Sequence, residues 1–129
     1  MTNEKGSAGL LGHAAAVLTG QHHVPRNQAS RAAALLARQA LEDVVCGLCD
    51  AWGITDSRVN MRSRLIMMRY LGDGAAADLA ATAWWGLSGA CHHHAYELTP
   101  TPDEIQNLID QVTRLAALSA NTVRGGDGS

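Results

Sequence analysis

A chain of 129 residues is the usual size of one domain and can bury a real core. With 47% hydrophobic and 17% charged residues it has the composition of a soluble globular protein, which excludes a disordered chain. The formal net charge of −2 excludes a global basic field that would draw it to nucleic acid, so any such contact must rest on a local patch. No apolar run approaches the roughly 20 residues of a membrane span, and the first ten residues lack the charged-then-apolar pattern of a secretory leader. A cytoplasmic protein without membrane contact is expected.

Phenylalanine is absent and alanine abundant, which suits closely packed helices better than sheets. Residues 1–8 read as a flexible N-terminus. "GLLGHAAAVLTG" (9–20) then reads as a short helix, and Pro25 marks a loop over 21–27. From about Asn27 to Trp52 the pattern is helical, because Leu41, Val44, Val45, Leu48 and Trp52 fall on one face. Gly53 is placed to end that helix in the left-handed conformation.

A third helix is expected from about Ser57 to Leu71, with Val59, Ile66, Met67 and Tyr70 as its apolar face and "GDG" as its stop. A fourth runs from about Ala75 to Leu98, burying Ala77, Ala80, Trp84, Leu87, Cys91, Ala95 and Leu98. The fifth has a defined start: Thr101 as N-cap, Pro102 in the first helical position and Glu104 closing a capping box. Ile105, Leu108, Ile109, Val112 and Leu115 form its apolar stripe, and residues 121–129 read as a flexible tail. The fold class is all-α: one domain over 9–120, an antiparallel helical bundle of four main helices plus a short N-terminal one.

"CHHHAY" (91–96) holds three of the six histidines. Measured from Trp84 on a regular helix, His92, His93 and His94 step to about 80°, 180° and 280°. They fan around the axis and do not ligate one ion together. His93 faces solvent beside Glu97. His92 shares a flank with Tyr96 as a pocket candidate, and His94 lies on the other flank as the candidate acid/base. The alternative for both flank positions is a half-buried imidazole bonded to a carbonyl or carboxylate.

"CGLC" (46–49) has a spacing used for zinc or redox chemistry, but it lies inside a helix. Cys46, Cys49 and Cys91 with one histidine would complete a structural zinc site. Small core thiols account for the same residues. In the third helix Arg58, Arg62 and Arg69 form one stripe able to grip phosphates, with Arg64 elsewhere. A solvated face or interface rim is the alternative. Trp84 and Trp85 are neighbours, so if one enters the core the other is directed to a flank or a partner. No phosphate-binding glycine loop and no paired carboxylates of clear catalytic spacing are present, and no cofactor is expected.

The long Ala/Arg-rich helix, "SRVNMRSRLIMMRYL" and "AWWGLSGACHHHAYELTPTPDEIQNLIDQV" together resemble the actinobacterial branch of the HEPN superfamily, over about residues 28–118. The resemblance implies an antiparallel helical bundle that dimerises. It implies either a metal-independent endoribonuclease with an Arg-x4–6-His motif, or a non-catalytic module that binds RNA, a nucleotide or a protein partner. His94 stands where the motif has its histidine, but Gly89 stands where it has arginine, and no arginine lies between Arg69 and Arg114. Arg58, Arg62 or Arg69 would have to replace it from the adjoining helix or a second subunit. The departure favours the non-catalytic module, with Arg62 or Arg69 as the substitute cation in the catalytic alternative.

Overall fold

The computed structural model describes residues 3–20, 26–54, 59–91 and 100–128, with side chains described for 6–20, 28–54, 59–91 and 100–121. The described residues form five helices: α1 (Asn3–Leu18), α2 (Arg26–Ala51), α3 (Met61–Leu71), α4 (Gly74–Cys91) and α5 (Pro102–Gly128). There is no strand among the described residues. None of the helices is long and apolar enough to cross a membrane.

Helix α2 is the hub. It packs on α1, α4, α5 and, more lightly, α3; α1 and α4 each also pack on α5, and α3 lies mainly on α4. The reason is the α2 surface. Ala33, Ala34, Ala37 and Ala40 are fully buried, as are Leu41, Val45, Leu48 and Cys49 further along. Methyl-sized side chains let neighbouring helices approach from several directions. Helix α4, which packs on α2, α3 and α5, buries Ala76, Ala77, Ala80 and Ala83 beside Trp84, Leu87, Ala90 and Cys91. The α5 stripe of Ile105, Ile109, Val112 and Leu115 is buried as well, with Leu108 packed at its edge.

Helix ends follow the sequence closely. Gly53 adopts φ +84°, with Gly53 N–H donating to the Asp50 carbonyl (3.1 Å) and Ile54 N–H to that of Cys49 (2.7 Å). This is a Schellman closure, and Ile54 is buried behind it. Asn60 N-caps α3 by accepting from Ser63 N–H at 2.9 Å. Asp73 does the same for α4, accepting from Ala75 N–H at 2.9 Å. The α5 capping box is reciprocal: Glu104 N–H donates to Thr101 Oγ1 (3.1 Å) and Thr101 N–H to Glu104 Oε2 (3.3 Å).

Three expectations need correction. α1 begins at Asn3, not near residue 9, and spans 16 residues with Ser7 fully buried. The glycines at 6, 9 and 12 lower its intrinsic propensity, but packing on α2 and α5 holds it helical. The shortest helix is therefore α3, with 11 residues. At the other end, α5 continues as helix through Gly128, across residues read as tail. Third, α3 is rotated from the expected orientation: Leu65 and Met68 are buried with Arg64, while Ile66 and Tyr70 are exposed. Arg64 turns inward, its Nε donating to the Val59 carbonyl at 3.2 Å and its guanidinium lying beside the Cys49 thiol.

The Trp52 indole lies over Gly72, where a Cβ would overlap the ring. Gly89 is exposed on α4, with nothing within 4 Å of a Cβ built there. Gly72→Ala is expected to cost about 1–3 kcal/mol by overpacking. Gly89→Ala should stabilise by up to about 1 kcal/mol through helix propensity. Urea denaturation of the two variants beside the parent checks both signs.

Candidate functional site

The rotation of α3 opens a groove on the surface of the described residues. Arg62, Leu65, Ile66, Arg69 and Tyr70 recur at helical spacing along one side of α3. Opposite them Ala77, Ala81 and Trp85 recur every fourth residue along α4. The two rows enclose an open groove of about 390 Å³, with two alanines for a floor and Trp85 at one end. Ile66 is 53% exposed, Trp85 61% and Tyr70 79%, so the large apolar side chains on its walls are more than half uncovered. Adjacent Leu71 is exposed as well.

The groove's charge is modest. Arg69 pairs with Asp78 of α4, both side chains at least half exposed, and such a pair contributes little to stability. Arg62 is exposed and has no ion pair among the described residues. Of the three arginines expected to form a phosphate stripe, Arg62 and Arg69 do share this groove; Arg58 lies outside the described residues. His92, His94 and Tyr96 also lie outside them, as does His93. Gly89 continues the fourfold spacing of Ala77, Ala81 and Trp85 along α4, and its surroundings are open.

The thiols are divided between two arginines. Cys49 is buried and Cys46 half-buried beside Arg64, itself only 9% exposed. Cys91 is buried beside Arg38, whose guanidinium stacks 4.4 Å from the centre of the Trp84 ring. Among the described residues no three His, Cys, Asp or Glu side chains converge on a point where a metal would bind. Cys46, Cys49 and Cys91 are thus not gathered around one point, and the histidines considered as a fourth zinc ligand lie outside the described residues. Cys91 sits with Arg38, while Cys46 and Cys49 sit two to three turns further along α2 with Arg64.

Burial raises all three thiol pKa values above the ordinary 9.0, opposed at Cys46 and Cys49 by Arg64 and at Cys91 by Arg38. A raised thiol pKa disfavours the reactive thiolate, and burial of Cys49 and Cys91 limits access to them. Sequence spacing did not single out Arg38. Its signal was the seven-residue interval from Arg31 on the alanine-rich helix, which puts both on one face.

Comparison with protein-family models, with curated proteins and with solved structures gives no match to the chain.

Cys49 and Cys91 are expected to react with Ellman's reagent at pH 7 at a small fraction of the rate of a free thiol. The rate should rise sharply in denaturant. Prompt stoichiometric reaction of the folded protein would contradict the assignment.

Proposed function

We propose that the chain is a HEPN-like interaction module: an antiparallel helical bundle that works as a homodimer, without catalysis of its own, through the α3–α4 groove. The single observation that carries this reading is the exposure of Trp85, Tyr70 and Ile66 together along one groove, in a fold whose other tryptophans are largely covered. Contiguous exposed apolar surface marks interaction sites. Tryptophan, tyrosine and arginine are the residues enriched at the centres of protein interfaces.

Charge separates a protein partner from RNA. RNA binding without base recognition draws on several cations along the backbone. Here Asp78 answers Arg69, which leaves Arg62 as the groove's other guanidinium, on a chain of net charge −2. A second copy is favoured because the groove carries both halves of a contact. Trp85 is a projecting side chain, and Ala77 and Ala81 are a shallow floor on the same face, so a two-fold axis sets the tryptophan of each copy on the alanines of the other.

RNA cleavage is the second reading, with His94 as acid/base and a phosphate held by Arg58, Arg62 or Arg69. The open space around Gly89 supports it to this extent: the arginine that the HEPN motif has at this position would fit.

The parent protein is expected to elute with the mass of a dimer in light scattering at micromolar concentration. Trp85→Asp should give a monomer with unchanged circular dichroism. A monomeric parent would contradict the reading. In parallel, chelator-treated protein should leave labelled RNA intact; cleavage that disappears in His94→Ala would establish the nuclease instead.

A further inference from the structure

The CGLC stretch is a motif that the α3–α4 groove leaves unused. Cys46 and Cys49 stand three residues apart near the end of α2, on consecutive turns of one helix face. Cys49 is fully buried, but Cys46 is half-buried, so the pair is reached from solvent on the Cys46 side. Glu42 and Asp43 precede Cys46 by four and three residues and Asp50 follows it by four, again one face. Asp50 is exposed, and these acids draw a cation toward the open side of the pair. Arg64 lies on the buried side, its Nε donating to the Val59 carbonyl at 3.2 Å.

Distance decides what the two thiols can do together. Cβ atoms three residues apart on a helix are about 5–6 Å from one another, whereas an unstrained disulfide needs roughly 3.5–4.5 Å. Direct S–S bonding therefore requires the helix to deform. An ion between the sulfurs adds two bonds of about 2.3 Å each, the length of a zinc–thiolate bond, and spans the gap with the helix intact. Ligand number then narrows the ion. Among the described residues no three His, Cys, Asp or Glu side chains converge, so these residues bring two thiolates where zinc takes four ligands. Cu(I) is soft, selects sulfur and is satisfied by two thiolates in a line.

We propose that Cys46 and Cys49 bind one Cu(I) ion between them, with Arg64 as the neighbouring counter-charge. The ion enters at Cys46 and closes onto Cys49. Each sulfur gives up its S–H proton to water as its Cu–S bond forms, and the copper stays Cu(I) throughout. Burial disfavours both thiolates in the metal-free chain, and bonding reverses this because a coordinating thiol is deprotonated outright. Two thiolates and one Cu(I) make an anion. Beside the Arg64 guanidinium, each buried charge then has a partner. None of the residues lining the α3–α4 groove is on α2, so the site does not depend on dimerisation there.

The test is an anaerobic titration of the reduced full chain with Cu(I) buffered by bicinchoninate, followed by the ultraviolet thiolate-to-copper band. Saturation at one ion per chain is the expected result, with two sulfur neighbours in the copper X-ray absorption spectrum. Cys46→Ala and Cys49→Ala should each weaken binding by about a hundredfold or more, since half the ligand set is gone. Cys91→Ala should leave it unchanged. Cys46 is only half-buried, so Cys46→Ala decides the matter if the Cys49 variant does not fold. Failure to compete with bicinchoninate, unchanged affinity in Cys46→Ala, or an equal loss in Cys91→Ala would each overturn the site. Zn(II) bound as tightly as Cu(I) would overturn it too, because two thiolates alone do not satisfy zinc.

Discussion

The close approach of helices around the alanine face of α2 is the constraint on which the rest of the molecule depends. Ala33, Ala34, Ala37 and Ala40 contribute almost no bulk, and α4, which packs on α2, likewise buries alanines, among them Ala76, Ala80 and Ala83. A seam of this kind gains through many short contacts between small groups, since interaxial distance is set by the side chains at the crossing. It has little room for anything larger. The chain has no phenylalanine, and its fully buried larger residues are a few leucines, Met68 and Ile105. Trp84 fits at the edge of the seam, capped by Arg38. Trp85, one step round the helix, faces out.

Two arginines extend that logic to the polar interior. Arg64 and Arg38 each reach from one helix to a cysteine on another, where their charge opposes the effect of burial on the thiol. A buried cation is costly unless its donors are met. Arg64 meets the cost in part through the Val59 carbonyl, tying the segment before α3 to the body of the fold. That tie sets the rotation of α3, and the rotation is what carries Ile66 and Tyr70 outward to face Trp85. The groove is thus a consequence of where one guanidinium goes.

The legible parts of the sequence were those decided by local chemistry. Thr101 and Glu104 announced the start of α5, and Gly53 the end of α2, because caps and left-handed closures act within a few residues. The division of Trp84 from Trp85 followed from helical spacing and a strongly one-sided α4. The face of α3 was not legible. Apolar side chains lie on most of its circumference, and its orientation depends on thiols that α2 supplies from 15 to 18 positions away, Cys46 and Cys49 relative to Arg64. The start of α1 was hidden for a related reason: three glycines argue locally against a helix that tertiary packing enforces. Of the candidate site, the pairing of Arg62 with Arg69 was readable as a stripe. The groove they border, the Asp78 partner and the Arg38–Trp84 stack arise only when helices meet. The histidines at 92 and 94 that the sequence marked for chemistry fall outside the described residues.

The central claim is that the α3–α4 groove is covered by a second copy of the chain. Its most direct measurement is an isotope-filtered NOE experiment on a mixture of labelled and unlabelled protein, observed at the Trp85 indole. Contacts from Trp85 of one copy to Ala77 and Ala81 methyls of the other are the predicted result. A Trp85 indole with no intermolecular contacts, in a sample tumbling as a monomer at NMR concentration, would contradict the account.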